Sequence, residues 1–152
     1  MTQSEREFSP KCGKCRQRAM ALSPVDYTTE FAHDGRRYTV TIPGLLLPRC
    51  GNCGEIAIDA VAEELITAAC LRHAGLLSPE QIRQQRQALG LTQQHLADLL
   101  GIGVQTLSRW ETGGQIQQRA FDRMLRAFFT VPELRQALAD EERLQVPEPD
   151  AA

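Results

Sequence analysis

The chain has 152 residues, with 17 Lys and Arg against 19 Asp and Glu, 42% hydrophobic residues and 5% aromatics. That length suits one ordinary domain or two small ones, and the near-average composition excludes collagen-like and wholly disordered chains. The longest run of Leu, Ile and Val is Leu45-Leu46-Leu47, too short to span a bilayer. The polar start, Met1 to Glu7, lacks the apolar stretch of a secretory signal, so the expectation is a soluble cytoplasmic protein. The net charge of −2 conceals an uneven distribution: +3 over residues 1–54, −3 over 55–77, +2 over 78–129 and −4 over 130–152. Exposed charges are screened beyond roughly 10 Å at 0.1 M salt, so the total does not preclude local phosphate binding.

Four of the five cysteines form two identical spacings, Cys12-Gly13-Lys14-Cys15 and Cys50-Gly51-Asn52-Cys53. Two residues between thiolates let both sulfurs converge on one ion, and two such turns complete a tetrahedral zinc site. Two disulfides or a redox pair are the alternatives. A chain without a secretory signal disfavours the former, and a thioredoxin-type site would use one motif in a βαβ setting. Because thiolates would fill all four positions, the expected zinc is structural and not catalytic.

Between the cysteine pairs, Tyr27 to Phe31 and Tyr38 to Ile42 alternate with period two and read as strands flanking a His33-Asp34-Gly35 turn. Leu45–Leu47, after Pro43-Gly44, reads as a third strand. This module of about fifty residues is too small to fold on its apolar core alone, so metal should supply much of its folding energy. A helix follows from about Ala60 to Ala74, opened by Asp59 and closed by Gly75. On it, Cys70 and His73 could suggest a metal pair. Cys70 lies among Ala68, Ala69 and Leu71, however, and reads as a buried small hydrophobe. His33 and His95 read as solvated.

Residues 78–129 read as short helices. Ser78-Pro79-Glu80-Gln81 opens the first, which ends at Gly90; Thr92 caps a second, Gln93 to Leu100; a third runs from Val104 to about Thr112. Helix, three-residue turn and helix is the spacing of a helix-turn-helix. At 100° per residue, Leu107 and Trp110 face inward while Gln105 and Arg109 share the opposite side, flanked by Ser108 and Thr112. Gln can pair with adenine and Arg with guanine, each through two hydrogen bonds. In the tail, Thr130-Val131-Pro132-Glu133 reads as a capping box for a last helix. There Leu134, Ala137 and Leu138, with Phe128 and Phe129, form either a subunit interface or the cover of the domain core.

The run Gly90-Leu91-Thr92-Gln93, Leu96-Ala97, Leu100-Gly101 and Thr106 to Glu111 resembles the Xre or lambda-repressor-like helix-turn-helix family. That resemblance implies five helices, a homodimer on pseudo-palindromic double-stranded DNA, and a phosphate contact from Gln93. It also implies base reading by Gln105 and Arg109 and a structural Arg86–Glu111 pair. Val104 stands where a polar residue is usual and would offer apolar contact. The candidate DNA-binding set is Gln93, Val104, Gln105, Thr106, Ser108 and Arg109; the candidate metal ligands are Cys12, Cys15, Cys50 and Cys53.

Two C-x-x-C turns around a hairpin, a linking helix and an Xre domain together resemble the MqsA antitoxins with their YgiT-type zinc finger. Tyr27-Thr28, Gly35-Arg36-Arg37, Gly44-Leu45 and Pro132-Glu133-Leu134 also match. The resemblance implies a zinc module that binds a ribonuclease toxin and a C-terminal domain that represses its own operon. The expected fold is α+β: a flexible lead over 1–11, a zinc-bound β module over 12–58, a linking helix and linker over 59–77, an all-α helix-turn-helix domain over 78–144, and a disordered tail over 145–152. A free-standing regulator whose zinc module binds another partner, or senses metal or oxidation, is the alternative. No paired catalytic carboxylates or nucleophile with base appear, and Gly101-Ile102-Gly103 lacks the rest of a dinucleotide fingerprint, so no enzyme is expected.

Overall fold

The computed structural model describes residues 11–145, so the expected lead and tail fall almost wholly outside the described residues. Two long strands, β1 (Met20–His33) and β2 (Arg36–Cys50), precede six helices: α1 (Ala60–Ala74), α2 (Pro79–Ala88), α3 (Gln93–Leu100), α4 (Val104–Thr112), α5 (Arg119–Thr130) and α6 (Pro132–Gln145). They form two compact units, divided after Gly75. Among the described residues no helix is long and apolar enough to cross a membrane. The α+β expectation holds: a β unit with clustered cysteines, then a helical unit.

In the first unit β1 and β2 pair antiparallel, from Met20↔Cys50 to His33↔Arg36. The two-residue loop, Asp34-Gly35, has positive φ at both positions (49° and 72°), the geometry whose twist matches a tight hairpin. The expected third strand is instead part of β2. The apolar residues of β2 change parity along the chain, from Tyr38, Val40 and Ile42 to Leu45 and Leu47, which a regular strand would place on opposite faces. A bulge solves this: Pro43 and Gly44 lie opposite the single residue Asp26, whose carboxylate accepts the Gly44 N–H at 2.9 Å. Both apolar sets then share one face, where Leu45 and Leu47 pack with Ala62, Leu65 and Ile66 of α1, beside Val25, Tyr27 and Ile42. The stretch that does extend the sheet is short: Ile56 bridges to Arg49, and Ala57 donates to the Pro48 carbonyl at 2.9 Å.

His33 is not solvated as expected. Its side chain is 11% exposed, it stacks on Phe31 at 5.9 Å, and its Nε2 lies 3.2 Å from an Asp34 oxygen. Phe31 and His33 are two apart on one strand face, so their rings meet. Tyr38 continues the row and meets His73 of α1 edge-on at 6.2 Å.

In the second unit the helix boundaries follow the caps. Ser78 and Gln81 form a reciprocal capping box with Pro79 at N1, and the Thr92 hydroxyl accepts the His95 N–H. The core gathers Leu77, Ile82, Leu96, Ala97, Leu99, Leu107, Trp110, Leu125 and Phe128. Phe128 is fully buried there, and Phe129, Leu138 and Ala139 pack against the same core. For these residues the tail face is core cover, while Ala137 is exposed. Thr130 ends α5, and its hydroxyl donates back to the Arg126 carbonyl. α5 itself was legible only through the family resemblance, although Phe121, Leu125 and Phe128 at helical spacing mark it.

Candidate metal centre and candidate nucleic-acid interface

The two cysteine turns have the same local construction. In the first, the Cys12 N–H donates to the Gln17 carbonyl at 2.8 Å and the Cys12 carbonyl accepts the Arg16 N–H at 3.0 Å. In the second, Cys50 N–H donates to Glu55 and its carbonyl accepts Gly54 N–H, both at 2.8 Å. Each turn therefore folds its two sulfurs to one side by bonds within six residues. The hairpin brings the turns together, with the Gly51 N–H donating to the Ala19 carbonyl at 2.8 Å. Across the seam Lys14 Nζ reaches Glu55 at 3.3 Å.

All four sulfurs lie within 4.8 Å of one another, with Cys12–Cys53 and Cys15–Cys50 separations of 3.6 Å. Four thiolates at ~2.3 Å from a central ion would sit about 3.8 Å apart, so the set fits a tetrahedral metal centre. None of the five cysteines is in a disulfide. Cys12 and Cys50 are buried, Cys15 is half-buried and Cys53 is exposed.

Cys15 and Cys53 are shifted in opposite directions. Cys15 is lowered to about 6, first by the Gln17 backbone N–H and then by the Asn52 side chain. At Cys53 the Glu55 backbone N–H acts in the same direction, but desolvation at the sulfur and hydrogen bonds shared with Cys12, Cys15 and Cys50 push it up to about 12. Sulfurs this close cannot all ionise unaided, whereas a divalent cation would hold all four as thiolates. Cys70 stands apart from the cluster, buried in α1, where desolvation raises its thiol.

In the second unit α3 and α4 are joined by Gly101-Ile102-Gly103, with Gly101 left-handed as the C-cap of α3. On α4, Leu107 and Trp110 are buried, Gln105 and Arg109 are exposed on the outer side, and Val104, Thr106 and Ser108 are half-buried between. Gln93 is the first residue of α3 and half-buried, with its amide donating to Glu111 at 2.9 Å. That bond was not foreseen in the sequence.

Glu111 is the centre of this frame. Arg86 donates to both its oxygens, at 2.6 and 2.9 Å, and a third guanidinium N–H reaches the Leu91 carbonyl at 2.6 Å. One buried ion pair thus ties α2, the α2–α3 turn, α3 and α4. Glu111 holds the Arg86 guanidinium above its usual pKa, against the opposing effect of burial. Sequence reasoning also missed a second buried polar group. The Asp122 carboxylate accepts the Leu77 N–H at 2.7 Å, the Gln117 amide at 3.0 Å and Arg126 Nε at 2.8 Å, while Gln117 also donates to the Leu77 carbonyl. Gln117 and Asp122 anchor the entry to the helical unit. Their only sequence signal is that polar residues stand among the apolar positions around α5.

A family model described as the antitoxin component of bacterial toxin-antitoxin system, MqsA, matches residues 8–139. The chain is also similar to Antitoxin MqsA of Escherichia coli (strain K12), 28% identical over 129 residues that cover 82% of this chain and 95% of that relative. A match of this extent, over both the cysteine-bearing unit and the helical unit, places the chain in the MqsA antitoxin family.

Proposed function

We propose that this antitoxin-family chain neutralises a ribonuclease toxin through its cysteine-bearing unit and represses its own operon through sequence-specific DNA binding by its helical unit. It acts by binding and carries out no catalysis. The observation that carries the reading is the separation of two structures with separate cores: a four-sulfur centre in residues 12–53 and a helical core framed by Arg86 and Glu111. Zinc is the metal that four thiolates in this tetrahedral spacing favour. Cys12, Cys15, Cys50 and Cys53 would hold it, and its role is to fix the fold of the first unit.

On DNA, α4 would enter the major groove. Arg109 would pair with a guanine, Gln105 with an adenine, and Val104, Thr106 and Ser108 would line the approach. Gln93, at the N-terminus of α3, would contact backbone phosphate, which positions without specifying. A homodimer would present two such helices to half-sites about one helical turn apart on a pseudo-palindromic operator.

The test is a division at Gly75. Residues 1–75 should neutralise the ribonuclease encoded beside this chain without binding operator DNA, and residues 76–152 should bind operator without neutralising. Both activities in the second fragment would overturn the reading. A genome with no small ribonuclease-like frame beside this one would favour a free-standing regulator.

A further inference from the structure

The four cysteines of the metal centre are not equally protected. Cys12 and Cys50, the first of each pair, are each 1% exposed, and Cys15 is half-buried. Cys53 is exposed, as is every residue from Gly51 to Ile58. Cys53 is therefore the most exposed residue of the centre. Across the seam the buried Cys12 lies 3.6 Å from it. We propose that Cys53 is the modification site through which peroxides open the metal centre, and that the product is a Cys12–Cys53 disulfide. The proposal rests on the metal-centre reading above.

The chemistry balances without a further reagent. The Cys53 thiolate attacks one peroxide oxygen; an S–O bond forms, the O–O bond breaks, and hydroxide or alkoxide leaves. The Cys12 thiolate then attacks the resulting sulfenic acid sulfur; an S–S bond forms, the S–O bond breaks, and the oxygen departs as hydroxide that takes up a proton. The two thiolates lose two electrons to the peroxide. Cys15 and Cys50, left as a pair, are too few to hold a tetrahedral ion tightly.

Geometry favours this pair over the others. A disulfide needs its sulfurs at ~2.05 Å, so forming this one means closing the rest of a 3.6 Å gap between the two turns. The other 3.6 Å pair, Cys15–Cys50, includes a fully buried sulfur and a half-buried one, so peroxide reaches it later. Because the new bond would cross the seam, the two turns would stay joined after the metal has gone. Cys70, buried in α1, serves as an internal control that should not react.

The experiment uses the full chain, with zinc content measured before any reagent is added. Under limiting iodoacetamide, peptide mass mapping should find Cys53 alkylated first. Under hydrogen peroxide, a chromogenic chelator should record release of one zinc per chain, mapping should find Cys12–Cys53 as the first disulfide, and far-ultraviolet circular dichroism should change little. A Cys53→His variant that still carries zinc should release it at least tenfold more slowly. First alkylation at Cys12, Cys15 or Cys50, or a first disulfide within one turn, would overturn the assignment of Cys53. A chain purified without zinc would instead overturn the metal reading beneath it.

Discussion

Arg16 and Gly54 hold the same place in the two cysteine turns. Each lies four residues after the first cysteine of its pair, each donates its N–H to that cysteine's carbonyl, and each is left-handed, at φ 63° and 74°. Glycine adopts that conformation freely, while a residue with a Cβ is strained there by roughly 1–2 kcal/mol. Arg16→Gly should therefore stabilise the first unit by about 0.5–1 kcal/mol, and Gly54→Ala should destabilise it by about 1 kcal/mol or more. Thermal unfolding of the metal-loaded chain, followed by a probe in the first unit, measures both. A loss of stability in Arg16→Gly would mean that its side chain contributes more than the strain costs.

Metal content is the second test. Purified protein should carry one zinc per chain. Cys12→Ser or Cys53→Ser should unfold the first unit while the helical signal of the second persists, since the two cores are separate. Cys70→Ala should leave zinc content unchanged.

The buried pair gives a third. Glu111→Ala leaves the Arg86 guanidinium buried without its carboxylate and removes the partner of Gln93, so it should cost about 3–5 kcal/mol of unfolding free energy in denaturant titration. Arg86→Met combined with Glu111→Leu should cost less than that single change, because neither partner is then left as an uncompensated charge. Equal losses in the two proteins would place the cost elsewhere than in the unpaired charge.

Sequence reading by α4 is the fourth. Arg109→Ala should cost ~1–3 kcal/mol per half-site and relax preference at one base pair, and Gln105→Ala should relax another. Gln93→Ala should weaken binding about equally on all sequences, through the lost phosphate contact and through the lost bond to Glu111. Titrations against operator and scrambled duplex at two salt concentrations check this. Equal losses on both duplexes for Arg109→Ala would make it a phosphate contact.

The elements with local punctuation were legible in the sequence. The paired cysteine spacings, the Asp34-Gly35 turn, and the caps Asp59, Ser78, Thr92 and Gly101 act within a few residues, and the structure puts each where its chemistry suggests. What escaped depends on distant partners. Pro43-Gly44 looks like a strand break until Asp26 is known to lie opposite, eighteen residues away. Asp122 looks like an ordinary acidic residue of a helix first turn, and only folding brings Leu77 and Gln117 to it. His33 reads as solvated because its turn is polar, whereas the ring of Phe31 decides its environment. On α4, by contrast, one helical period sufficed to separate the buried Leu107 and Trp110 from the exposed Gln105 and Arg109.

Thirty-four residues lie between Cys15 and Cys50, and nearly all of them belong to one hairpin. In terms of chain statistics, an ion shared by the two cysteine pairs would close that loop much as a covalent link does. By the scaling used for covalent links, closing a loop of this length withdraws about 4 kcal/mol of disorder from the unfolded chain. An isolated two-stranded hairpin is marginal in water, so a contribution of this size would add to what the hairpin gains by packing on α1. It also falls on the two ends of the hairpin farthest from the Asp34-Gly35 turn, where register would otherwise be weakest. The turn fixes one end of the ladder by backbone geometry, and a metal held by the four sulfurs would fix the other.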